Sequence, residues 1–470
     1  MGDNPLYAVP VLGGSPHRLN DLSVVEAAWS PDGRLLFFSQ ANGLYLANAD
    51  GSAQRKLATV EGWPRAPGWS PDGKKIRFSL QKTLVAGSSP SIWEISADGK
   101  GLHQILPGWN NPSDECCGAW TPDGKYFFFQ SSKGGTKNIW AIREGGSAFY
   151  KVNHQPVQLT TGPAATDLPL PSLDGKKLFA LSPRARGKLV RYNARTGDFV
   201  PYLSGISATC VDFSRDRQWI AYVQHPELTL WRSKIDGSEK LQLTFPSMEA
   251  LMPRWSPDGT QIAFIGITPD QRWHSYFVAA DGTGTPQQIP NVPSEAGETD
   301  PGWSPDGKSL VFAGTPSHHS LKPSPNAIHI MDMHTRKVTT LPGSEGLCST
   351  RWSPDGRYIA AITNDNRRMM VYDLSSRRWS VLVENLYSGF NQWSENSQAI
   401  YFLGSPKGKH TAIFRVRLSN HKLEQVTSLE HFRQASGLIG AWMGIAPDDS
   451  PMLLEDVGTQ DIYALDLELP

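Results

Sequence analysis

The pentapeptide Trp-Ser-Pro-Asp-Gly begins at Trp29, Trp69, Trp255, Trp303 and Trp352, and Trp120 opens a copy with threonine in second place. Aligned on the aspartate, the series runs Asp32, Asp72, Asp123, Asp174, Asp216, Asp258, Asp306 and Asp355, then degenerates at Asn396 and Asp448. These ten markers, about 40 to 52 residues apart, fill the 470-residue chain. A period of that length is the period of a four-stranded propeller blade. No interval remains for a domain of another kind, so the markers predict one domain over residues 1–470.

Repeat six shows the inner pattern. "EALMPRW" reads as a strand, "SPDG" as a turn, "TQIAFIG" as a second strand, "HSYFVAA" as a third and "PQQIP" as a short fourth. We label these strands a to d. Asp-Gly pairs at Asp50, Asp98, Asp236 and Asp281 are hairpin signals between c and d. No long helical period interrupts the series, and the expected fold is all-β.

The pentapeptide itself reads as a turn between strands a and b. Proline presets its φ, aspartate accepts from nearby backbone N–H groups, and glycine takes the positive φ at the end. An aspartate repeated at equivalent turns is poorly suited to catalysis, and none of them stands in a calcium-loop pattern. The motif therefore marks a regular face. Functional residues are expected opposite it, among the b–c and d–a connections.

The tandem "WSPDG" with its "LYLANADGS"-like hairpins resembles the TolB-type β-propeller repeat, across essentially the whole chain. The opening "LYAVPVLGGSPHRL" and the stretch from "WRSKIDGSEKLQLT" to "MPRWSPDGTQIAF" are similar to the propeller part of bacterial winged-helix sensor-regulators. That resemblance implies a sensory module, in the periplasmic or extracytoplasmic part of a larger bacterial protein. Its DNA-binding domain and membrane span have no counterpart in this chain.

Repeat ten lacks a fourth strand, and the segment before repeat one supplies strands without a partner. Pairing the two ends would close a single ring of ten blades and remove both free edges. Two rings of five blades are the alternative.

Lys plus Arg and Asp plus Glu both number 45. Zero net charge provides no field for nucleic acid or an anionic membrane. No signal-peptide pattern opens the chain, and the longest apolar stretch is too short to span a bilayer. The four cysteines, Cys116, Cys117, Cys210 and Cys348, are expected as buried free thiols, since adjacent cysteines rarely meet disulfide geometry.

Candidate site residues precede the pentapeptide by a few positions, where strand a enters the channel. They are Glu26, Arg65, Glu115, Asp167, Glu249, Glu298 and Asp300. Mostly acidic, they would form a rim suited to a protein or small ligand, a cationic one included. His318 and His319 are weak metal candidates without a third ligand at a recognisable spacing. No cofactor is implied, and a monomer is expected. A serine peptidase would need a G-x-S-x-G elbow; the two G-W-S-P-D segments fail at its last position. The residues favour a non-catalytic recognition or sensor propeller. The alternative is a propeller lyase or glycoside hydrolase acting on a polysaccharide at the channel mouth.

Overall fold

The computed structural model describes residues 4–82, 90–111, 113–145, 155–162, 165–268, 273–289, 298–314, 326–406 and 408–468. His318 and His319 lie outside these, and so does the side chain of Glu298. Strands dominate, and the described residues contain no α-helix. Most b strands sit mid-sheet and are packed on both faces, so their residues are buried on both sides, as along Leu35–Gln40 and Gln261–Ile267; along Lys177–Arg184 burial alternates instead. Fully buried phenylalanines recur there (Phe37, Phe78, Phe128, Phe264, Phe312 and Phe402), each contributing about 1.5–3 kcal/mol on burial.

The chain forms two compact units, one of residues 1–184 and 459–470, the other of residues 185–458. In the first, repeats one to three each form a four-stranded sheet. A further sheet combines Asp167–Pro171 and Lys177–Arg184 with the C-terminal strand Thr459–Asp466. The N-terminal strands Asn4–Ala8 and His17–Val24 pair with each other and pack on repeat one.

In the second unit, repeats five to nine each form one four-stranded sheet. The sixth is composite: Gly187–Asn193 and Asp198–Pro201, strands c and d of repeat four, join Met443–Ile445 and Pro451–Asp456, strands a and b of repeat ten. Met443–Ile445 lies against strand a of repeat nine, Tyr387–Trp393, and strand a of repeat five, Ala208–Phe213. The six innermost strands thus make a closed circuit.

The expected closure through the chain termini is therefore corrected. The N-terminal strand pairs with its own neighbour, and repeats four and ten are each divided between the units. The physical drive is the anticipated one, removal of free strand edges. It is met inside repeat four rather than across the whole chain.

Candidate functional site: the channel and loop face of the second unit

The recurring aspartate closes each a–b turn from within. The Ser30 hydroxyl donates to Asp32 Oδ1 at 2.6 Å, the Arg34 N–H donates to the same oxygen at 3.1 Å, and the Leu35 N–H donates to Ser30 Oγ at 2.9 Å. The same set recurs at Asp72, Asp174, Asp258 and Asp306, with Thr121 replacing serine at Asp123. These bonds hold the carboxylates below their ordinary pKa, Asp123 at about 2. The turn face is self-satisfied.

Strand a carries a second recurring device that the sequence reading missed. In repeats two to nine, the residue six places before the marker has φ between 46° and 60°, and the a–b register slips there. The residues are Ala66, Cys117, Leu168, Cys210, Met252, Asp300, Ser349 and Phe390. None is glycine, so each bulge costs about 1–2 kcal/mol. Its sequence signal was only positional. In the first unit the bulge aims an N–H at the preceding blade: Ala66 donates to Glu26 at 2.5 Å, Cys117 to Ser79 at 2.9 Å and Leu168 to Gln130 at 2.9 Å.

The bulge governs where the sequence-predicted residues fall. Glu26, Arg65, Glu115 and Asp167 belong to the first unit, whereas Glu249, Glu298 and Asp300 belong to the second. Glu26 is held by the Ala66 N–H, and Asp167 faces Lys137 Nζ at 3.3 Å. Arg65 is half-buried beside its bulge. Glu115 has no exposed surface; burial, with nearby Asp114 second, pushes its carboxyl up to about 7. Burial also raises Glu249. Asp300 is buried against Arg351 Nη1, 2.5 Å away.

One cysteine expectation is corrected. Cys116 and Cys117 are joined by a disulfide, and Cys117 is the left-handed residue of its bulge. Cys210 and Cys348 are buried free thiols at their own bulges, and burial pushes Cys348 up to about 12.

The innermost strands of the second unit carry charges that the sequence reading passed over. Four places before the marker stand Asp212, Arg254, Gly302, Arg351 and Gln392 in successive repeats. Asp212 accepts the Trp255 N–H at 2.8 Å and faces Arg254 Nη1 at 3.8 Å. Arg351 is 6% exposed and donates through Nη1 to the Thr350 carbonyl at 2.6 Å. Burial and the charge of Arg254 pull the Arg351 guanidinium down to about 10, opposed by Asp300 and Asp212. Groups from repeats five, six, seven and eight therefore converge about the axis. The buried atoms Arg254 Nη2, Arg351 Nε and Arg351 Nη2 have no hydrogen-bond partner among the described residues. Only the spacing to the pentapeptide could have picked out these positions.

Opposite the turn face, Asp365, Arg367, Asn385, Tyr387 and Ser405 line a cavity of about 300 Å³. Asp365 and Arg367 come from the b–c turn of repeat eight, Asn385 from its d–a connection, and Tyr387 and Ser405 from the adjoining strand ends of repeat nine. Thr363 Oγ1 at 2.5 Å and the Arg367 N–H at 3.0 Å fix Asp365 and lower its pKa. Tyr387 is 53% exposed and presents its ring at this cavity.

Residues 17–188 and 206–436 match the family model described as TolB beta propeller domain. Among curated proteins, dipeptidyl-peptidase 5 of Porphyromonas gingivalis is 24% identical over 390 residues, which cover 77% of this chain and 47% of that one. An uncharacterized protein of Agrobacterium fabrum is 28% identical over 127 residues, 26% of this chain and 40% of that one. The chain spans less than half the length of the curated relatives it matches. Among solved structures, a putative TolB from Agrobacterium tumefaciens superposes with a TM-score of 0.45 at 17% identity, covering 60% of this chain and all of that one. No helix among the described residues is long and apolar enough to cross a membrane.

Proposed function

Since the chain belongs to the TolB β-propeller family, we propose that it is a recognition propeller, binding a protein or small ligand at the b–c and d–a loop face of its second unit. The observation that carries this reading is the cavity where the exposed ring of Tyr387 meets Arg367 and Asp365, on the loop face opposite the repeated turns. An exposed aromatic ring beside one arginine and one fixed carboxylate offers stacking and charge-assisted hydrogen bonds to a ligand with both apolar and polar parts. The family likeness also supports an extracytoplasmic setting.

A thermal-shift screen of the chain against small ligands and short peptides tests the reading, because specific binding raises apparent stability by mass action. Hits should weaken at least tenfold in Tyr387→Ala and Arg367→Glu while the ligand-free melting midpoint stays near that of the parent. If both variants retain every hit, the loop face is not the binding surface.

A further inference from the structure

Arg254 and Arg351 hold the same place in their repeats, on the innermost strands of a closed circuit. Repeat seven, between them, carries Gly302 at that place. A Cβ built there would meet only Val311 Cγ1, at 3.4 Å, so no side chain separates the two guanidinium groups along this row. Arg351 spends Nη1 on the Thr350 carbonyl and Asp300. Its remaining edge, Nε with Nη2, is the pair of parallel donors that matches the two oxygens of a carboxylate. That edge is buried and unpaired, and so is Arg254 Nη2. Buried donors without partners are rare in folded proteins and call for an acceptor.

We propose that the channel of the second unit holds a planar carboxylate, gripped bidentately by Arg351 and capped by Arg254 Nη2. Asp212 and Asp300 steady the two arginines from their other sides and leave the four-group cluster formally neutral. Selection then rests on the shape of the donor fork rather than on a surplus of positive charge. The carboxylate belongs to a small organic acid or to the free C-terminus of a short peptide, two sources with the same chemistry. The site uses none of the residues around the Tyr387 cavity and stands independently of the loop-face reading.

Calorimetric titration of the chain with acetate, succinate and the tripeptide Ala-Ala-Ala, each against sodium chloride at matched ionic strength, tests the proposal. Amidated Ala-Ala-Ala separates the sources: binding of the free-acid peptide alone assigns the C-terminus, and binding of acetate or succinate assigns a small acid. Arg351→Lys keeps the charge and removes the fork, so affinity should fall at least tenfold. Gly302→Val fills the gap while leaving both arginines, and should weaken binding as much. Each variant is compared at its own ligand-free melting midpoint, which separates lost binding from lost folding. Carboxylates that bind no better than chloride, or unchanged binding in both variants, would overturn the proposal.

Discussion

The indole N–H of Trp303 donates to the backbone carbonyl of Arg254, one blade back, at 3.1 Å. Trp69 does the same to Ala28 and Trp393 to Arg351, each at 3.0 Å. At these three positions the tryptophan is a clasp between neighbouring innermost strands, whereas Trp29 and Trp352 donate within their own repeats, to the Ala49 and Gly356 carbonyls. Trp303→Phe keeps most of the ring and loses the bond, an expected cost of about 0.5–1.5 kcal/mol. Trp393→Ala also opens a cavity and should cost roughly 3–5 kcal/mol. Urea midpoints at constant m-value measure both; a Trp303→Phe variant as stable as the parent would show that the hydrogen bond matters little.

Arg77 is the electrostatic centre of the first unit. It contacts Glu94 at 2.8 Å and Glu144 at 2.6 Å, with Trp120 and Phe127 against its guanidinium. Arg77→Met strands the largely buried Glu144 and leaves Glu94 with Lys75 alone, 3.1 Å away, and should destabilise by about 3–5 kcal/mol. The triple variant with Glu94→Leu and Glu144→Leu should recover most of that loss. Absence of recovery would show that packing on the two rings, not charge, is what Arg77 supplies.

Glu115 sets a pH dependence of the opposite sign from ordinary acid unfolding. Its folded pKa near 7 exceeds the unfolded value of 4.5, so the folded state holds the proton more tightly. Stability contributed by this group is full below pH 4.5, declines as pH rises towards 7, and is lost above it, by an amount on the order of 3 kcal/mol. In Glu115→Gln the fall in the urea midpoint between pH 5 and 8 should flatten. A parent protein with a flat profile over that range would contradict the assignment.

Repeat nine shows what the turn aspartate contributes. There Asn396 Oδ1 accepts from Ser394 at 2.8 Å and from the Gln398 N–H at 3.0 Å, as the aspartates do. Neutral acceptance therefore suffices. Asp258→Asn should keep the turn closed and lose only the charge assistance of its bonds, whereas Asp258→Ala should cost more, roughly 1 kcal/mol. For Asp123, the folded pKa of about 2 lies below the usual 3.8, so its stabilisation is present above pH 4 and fades towards pH 2. Melting midpoints measured across pH 2 to 5, in the parent and in Asp123→Asn, check that direction.

The all-β class, the blade period and the role of the pentapeptide were legible because a turn is a local object written in four adjacent residues. The division into units was not. It falls between strands b and c of repeat four, where Arg184 and Ala185 sit in a sequence with no break in rhythm. Pairing of Gly187–Asn193 with Pro451–Asp456 depends on which distant edge is free, and no local pattern encodes that. The bulges were hidden for a related reason, since residues as different as Ala66, Asp300 and Phe390 adopt one strained backbone under tertiary constraint. Attention to acidic loop ends picked out Asp300 but passed over Arg351, the group beside which it lies.

The two divided repeats also fix an order of events during synthesis. The second unit is one continuous segment, residues 185–458, whereas the first needs Thr459–Asp466 to complete its last sheet. A ribosome adds about 5–20 residues per second. The later-encoded unit can therefore close as soon as Asp456 has emerged, while the earlier one waits with the edge of Lys177–Arg184 open. The portion of the chain made first can complete its last sheet only after Asp466 has emerged, and until then that edge is open to a chaperone or a mispaired strand.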